Sequence, residues 1–162
     1  MTETDDVVQK SSAYAQGFAK GALPRPPARK LAVVACMDAR LDPARILGLE
    51  EGDAHVIRNA GGVVTDDAIR SLAISQNLLG TEEIILIHHT DCGMLQFTDE
   101  EFADQMEEQA GERPDWRAHA FADLEDALRG SIQRVQESPF IRHKNVRGFV
   151  YDVESGRMRE VS

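Results

Sequence analysis

Positive charge is in short supply in this 162-residue chain: 18 lysines and arginines stand against 28 aspartates and glutamates, a formal net charge of −10. Polyanions and anionic bilayers repel such a chain, so no nucleic-acid or membrane partner is expected. Long apolar runs are missing too. No stretch approaches the roughly 20 residues needed to cross a bilayer. The opening "MTETDDVVQK" is too acidic and polar for a secretory signal, so a cytoplasmic protein is expected. Only two cysteines occur, Cys36 and Cys92. In a reducing compartment they are expected as thiols or metal ligands and not as a disulfide. No internal repeat divides the chain, and its length suits one domain with its own core.

What is present has a clear order. Residues 1–29 read as an N-terminal arm: a weak helical pattern around Val7, Val8, Tyr14 and Phe18, then "ALPRPPARK", whose prolines impose an extended lead-in. Residues 30–162 read as a single α/β catalytic domain. "KLAVVACMD" (30–38) is a continuous apolar run, as in a strand covered on both faces. "DPARILGLEEGD" follows as a short helix and turn, and "AHVIRNAGG" (54–62) as a second strand. In "TDDAIRSLAISQNLLG" (65–80), Thr65 is an N-cap, Asp66 and Asp67 suit the positive end of the helix dipole, and Gly80 is a stop. Its expected inner side is Ile69, Leu72, Ala73, Leu78 and Leu79.

"EEIILIHH" (82–89) is a third strand. Residues 98–113 form an acidic helix. A longer helix is expected over 116–137, with Phe121, Leu124, Leu128, Ile132 and Val135 inward. "VRGFVYDVES" (146–155) is a fourth strand, "SG" a turn, and "RMREV" a short edge strand. The alternation predicts a mostly parallel sheet of about four strands, plus one antiparallel edge strand, flanked by helices.

Chemistry concentrates at two strand exits. In "CMDAR", Cys36 ends the first run, and Asp38 and Arg40 are spaced for a bidentate ion pair. Alone, Cys36 reads as a buried structural thiol. In "HHTDC", His89 and Cys92 can face one cation, although a nucleophilic Cys–His pair and a redox role share that spacing. Together the two segments say more. Ligand sites in open parallel sheets form beyond the carboxyl ends of strands. If the first and third strands are neighbours, Cys36, His89 and Cys92 converge there. Two thiolates and an imidazole favour Zn²⁺, and three protein ligands leave a tetrahedral position open, as in catalytic zinc sites. His88 alternates with His89 and is expected to point away as a packed histidine. Asp91 is expected to hydrogen-bond within its own turn. His55, His88 and Asp91 are candidates for proton export, and His119 and His143 are expected at the surface.

The combination Cys-x-Asp-x-Arg, "RNAGG" and His-x-x-Cys-Gly resembles the β-class carbonic anhydrases, over residues 30–155. The resemblance implies zinc on Cys36, His89 and Cys92, a catalytic dyad of Asp38 and Arg40, and a homodimer or dimer of dimers. It implies reversible hydration of carbon dioxide to bicarbonate by zinc-bound hydroxide. Asp38, held by Arg40, would orient that hydroxide. Ala60, Gly61, Gly62 and Gly93 are the expected substrate-binding backbone, although Gly61 and Gly62 equally suit a turn before a helix. The same fold also hosts carbonyl sulfide and carbon disulfide hydrolases, which leaves a second reaction open. A zinc-binding protein without catalysis is the third reading, disfavoured by the intact Asp38–Arg40 pair.

Overall fold

The computed structural model describes all 162 residues. Helix α1 (Glu3–Gln16) is followed by strand β1 (Leu31–Cys36), helix α2 (Pro43–Leu47), strand β2 (Ala54–Asn59) and helix α3 (Asp66–Leu79). Strand β3 (Glu83–His89), helices α4 (Asp99–Ala110) and α5 (Leu124–Glu137), and strands β4 (Asn145–Tyr151) and β5 (Met158–Val161) complete the chain. The sheet order is β2-β1-β3-β4-β5. Pairings among β2, β1, β3 and β4 are parallel, and β5 runs antiparallel on β4. The chain steps from β1 to β2 on one side and returns to place β3 on the other. The winding therefore reverses between β1 and β3, which is where such sheets open a crevice.

The apolar run of β1 is explained by its central place: Ala32 to Ala35 are fully buried, between two apolar clusters. One cluster joins the sheet to α3 and α5 through Val34, Leu72, Leu86, Leu128 and Val135. Each such fully buried side chain contributes about 1.5–3 kcal/mol. The other cluster contains both cysteines with Leu41, Ile87 and Met94.

The caps of α3 are as expected: Thr65 accepts from the Ala68 N–H, and Gly80 closes the helix in the left-handed region. Its inner face is so only in part, since Leu72 is buried with Ile69 and Ala73 packed against the core. Leu78 is 76% exposed, while Ser75 and Gln76 are buried beside Ala68 and Leu72. The inner stripe follows the 3.6-residue period, and the polar members are tolerated because they have partners. Ser75 Oγ lies 2.7 Å from His55 Nδ1 and 2.6 Å from Thr81 Oγ1. Gln76 Oε1 accepts from the N–H groups of Arg142 and His143.

Residues 116–123 also differ from expectation, because they are not helical. Asp123 accepts from the Asp126 N–H at 2.8 Å and starts α5 there. The preceding loop turns back instead, with the Phe121 N–H donating to Met94 O at 3.2 Å. This carries Phe121 toward the exit of β3.

Helix α1 has no buried residue, and Val7, Val8, Tyr14 and Phe18 are all more than half exposed. Its return to the sheet is fixed by the Lys20–Glu51 pair at 3.3 Å and by the Ala28 N–H on Gly52 O at 2.9 Å. No helix is long and apolar enough to cross a membrane.

Candidate metal centre

Strand β1 ends on Cys36 and its neighbour β3 ends on His89, with the following turn bringing Cys92 alongside. One ligand atom from each lies within 4.8 Å of the others, and all three residues are buried. The His89 ring is oriented by its Nδ1, which donates to Thr90 O at 2.8 Å. That leaves the Nε2 lone pair buried and without a hydrogen-bond partner. An orphaned buried acceptor is costly, and one facing two thiols is what a metal would satisfy.

The donor set fits Zn²⁺. Thiolate and imidazole are among its preferred ligands. The thiols are prepared for it. Cys36 is drawn well down, chiefly by the Cys92 thiol, with His89 and the backbone N–H groups of Asp38 and Gly61 assisting against burial. Cys92 is pushed up by Cys36 beside it and by burial. A dication in place of the remaining proton would stabilise both thiolates.

Asp38 and Arg40 lie on the loop after β1. Arg40 Nε donates to Asp38 Oδ1 at 3.0 Å and Nη2 to Oδ2 at 2.8 Å, while the Arg40 backbone N–H reaches Oδ1 at 2.8 Å. These bonds hold the Asp38 carboxyl well below the usual carboxylate range. Its Oδ2 lies 3.7 Å from His89 Nε2, at the edge of the ligand group.

Asp91 does not bond within its own turn. Its carboxylate accepts from Arg40 Nη1 at 3.0 Å and its carbonyl from Nη2 at 3.0 Å. Asp91 adopts the left-handed conformation, with φ +54°. His88 is a packed histidine, as expected. Its Nε2 donates to Gly62 O at 3.2 Å and its ring stacks on Phe121 at 5.5 Å. Burial pushes its pKa down to about 4, so it is neutral at physiological pH.

Ala60–Gly62 form a single 3₁₀ turn after β2. Gly62 has φ +64°, and a Cβ there would lie 2.7 Å from Cys36 N and 2.9 Å from Ile87 O. Only glycine fits this gap between the two ligand-bearing strands. Gly61 packs against Met94 and Phe121, which with Ile87 give this end an apolar wall. Gly93 is exposed and faces open space. His55 is tied to Ser75 of α3, and His119 and His143 are half-buried in loops.

Sequence reasoning missed the contacts of three residues. Arg58 donates to the carbonyls of Cys36, Asp38 and Leu41 at 2.9–3.1 Å and so fixes the loop carrying the dyad. Its only signal was an arginine at a strand end with no nearby acidic residue. Asp91 pairs with a residue 51 positions away, which local spacing cannot reveal. Phe121 was assigned to a helix that starts later.

A sequence profile of the family described as carbonic anhydrase matches residues 31–158. The beta-carbonic anhydrase 1 of Mycobacterium tuberculosis is 56% identical, with the match covering 100% of this chain and 99% of the relative. The carbon disulfide hydrolase of an Acidianus species is 36% identical, covering 96% of this chain and 87% of its own. Among solved structures, a carbonic anhydrase from Streptococcus mutans aligns with a TM-score of 0.93 at 43% identity, covering 100% of this chain and 99% of that one.

Proposed function

The chain belongs to the β-carbonic anhydrase family, and we propose that it hydrates carbon dioxide reversibly to bicarbonate and a proton with Zn²⁺ held by Cys36, His89 and Cys92. The carrying observation is a buried Cys-His-Cys group with an orphaned imidazole nitrogen, bordered by a carboxylate already held by arginine. Bound there, Zn²⁺ supplies Lewis acidity that ionises water near neutral pH.

The chain's own residues supply orientation. Asp38 Oδ1 accepts two donors from Arg40 and Oδ2 accepts one, so Oδ2 keeps acceptor capacity. That oxygen lies 3.7 Å from His89 Nε2, and in this reading it accepts a hydrogen bond from the reacting water and so fixes its direction of attack. Phe121 and Met94, beside Gly61, are assigned to the apolar lining for a substrate with no net dipole. Ala60, Gly61, Gly62 and Gly93 are assigned to the substrate-binding backbone, where amide donors suit the charge that develops on bicarbonate.

Stopped-flow CO₂ hydration with the zinc-loaded protein tests the reading. Asp38→Asn is expected to retain zinc and lose most turnover. Full activity in that variant would remove Asp38 from the mechanism. The similarity to a carbon disulfide hydrolase along 96% of the chain supports a second reading, hydrolysis of carbon disulfide or carbonyl sulfide at the same centre. A sulfide-release assay run in parallel separates the two.

The catalytic domain is assigned to residues 30–162, with 1–29 as an arm. The exposed apolar residues of α1 and the open edge of β2 support a homodimer or dimer of dimers. Light scattering at working concentration checks this.

A further inference from the structure

A guanidinium has five N–H donors in a fixed fork. At Arg40 four of them are committed, two to Asp38 and two to Asp91. The inner edge, Nε and Nη2, grips the Asp38 carboxylate. The outer edge, Nη1 and the second Nη2 hydrogen, is gripped by the Asp91 carboxylate and carbonyl. Asp38 and Arg40 follow β1, while Asp91 sits between His89 and Cys92 after β3. Arg40 therefore bridges the segments that follow the two ligand-bearing strands.

We propose that Asp91 is a positioning residue, which locks Arg40 so that Asp38 is presented to the reacting water in one orientation. The proposal rests on the reading of Asp38 and Arg40 as the catalytic pair. Two observations carry it beyond an ordinary surface ion pair. First, the contact is made by side chain and backbone together, from a residue with φ +54°, a conformation costly for most residues but accessible to Asp, Asn and Gly. Second, the side chains of Arg40 and Asp91 are 46% and 72% exposed. So open a pair contributes little to global stability. Its effect falls on the geometry of Arg40, whose long side chain would otherwise be restrained only by a residue two positions away.

The test uses zinc-loaded wild-type protein, Asp91→Gly and Asp91→Asn. Glycine keeps the positive φ and the carbonyl contact but removes the carboxylate. Asparagine keeps the conformation and one side-chain acceptor, and it maintains the test if the glycine variant folds poorly. In Asp91→Gly, kcat is expected to fall about tenfold, the rate equivalent of one hydrogen bond to a charged group. KM should stay within about twofold, because the loss falls on the transition state. Zinc content should not change. Arg40 should be modified several-fold faster by phenylglyoxal, read by peptide mass spectrometry. Asp91→Asn should recover most of both effects.

Unchanged kcat, unchanged Arg40 labelling, or an asparagine variant no better than glycine would each overturn the proposal. The labelling rate does not depend on which reaction is catalysed. If wild-type protein fails to hydrate CO₂, or Asp38→Asn remains fully active, the catalytic reading fails while the labelling still judges whether Asp91 holds Arg40.

Discussion

The two strand exits that build the centre are secured in different ways. The exit of β1 is held from the sheet edge by Arg58, a single cation gathering three backbone carbonyls. The exit of β3 is held from the sheet's other side by neutral bonds: the Thr90 N–H donates to Tyr151 O at 2.9 Å, and Thr90 Oγ1 accepts from the Val153 N–H at 3.0 Å. Each half is anchored to its own outer neighbour, and beyond the β1–β3 pairing the halves meet at Cys36, His89 and Cys92, at Arg40 and across Gly62. A site built this way can have both halves well formed and still depend on the seam between them.

Breaking either half at its ligand should have the largest effect, and the same effect. Cys36→Ser and Cys92→Ser are both expected to lose zinc and CO₂ hydration together, measured by metal analysis and stopped flow. Retained zinc in one of them would show that the halves are not equal partners. Chelation should also destabilise the wild-type fold. Zinc at about a thousand times its dissociation constant adds about 4 kcal/mol to stability, so urea midpoints with and without chelator should differ accordingly.

Next comes the seam itself. Gly62→Ala puts a Cβ 2.7 Å from Cys36 N at a backbone φ of +64°. The left-handed conformation costs about 1–2 kcal/mol in an L-residue and the overpacking about 1–3 more. A loss of about 3 kcal/mol in urea unfolding is expected, with weaker zinc binding. A loss below about 1 kcal/mol would mean that the strands separate easily.

What the sequence revealed follows the range of the forces involved. Strand and helix order came from apolar periodicity and caps, which are local, and Thr65 and Gly80 behaved as their chemistry requires. The convergence of Cys36, His89 and Cys92 was legible because a parallel sheet places strand exits side by side. The failures lie where tertiary partners overrule local pattern. Ser75 and Gln76 displaced Leu78 from the inner face because His55, Thr81 and the chain around His143 satisfy them. Phe121 left the expected helix because Asp123 caps it late. Arg58 and Asp91 act on residues 17 or more positions away, beyond any local rule.

A smaller effect should separate the two anchors. Arg58→Lys keeps the charge but cannot reach three carbonyls from one rigid fork. Metal affinity should fall about tenfold, the lower end for residues that orient metal ligands. Competition with a chromogenic chelator reads this directly. Thr90→Val removes the bond from the Val153 N–H and a long one to Asp152 Oδ1 at 3.5 Å, and should cost about 1 kcal/mol in stability. A larger loss of metal affinity in Thr90→Val than in Arg58→Lys would reverse the ranking of the two anchors.

The smallest effect belongs to a histidine that sits at neither exit. Burial lowers the pKa of His55 on β2 below 6.5, its ordinary value. As pH falls, the unfolded chain takes up this proton first, so His55 contributes its full stability above about 6.5 and loses it as pH drops through the lower folded-state value. The residue is only partly buried, so the change should stay below about 1 kcal/mol. Urea midpoints of wild-type protein and His55→Gln at pH 7.5 and pH 5 provide the comparison, at about those values. The variant should lose slightly less stability on acidification than the wild type. An identical loss in both would assign the acid sensitivity to other groups, the strand exits among them.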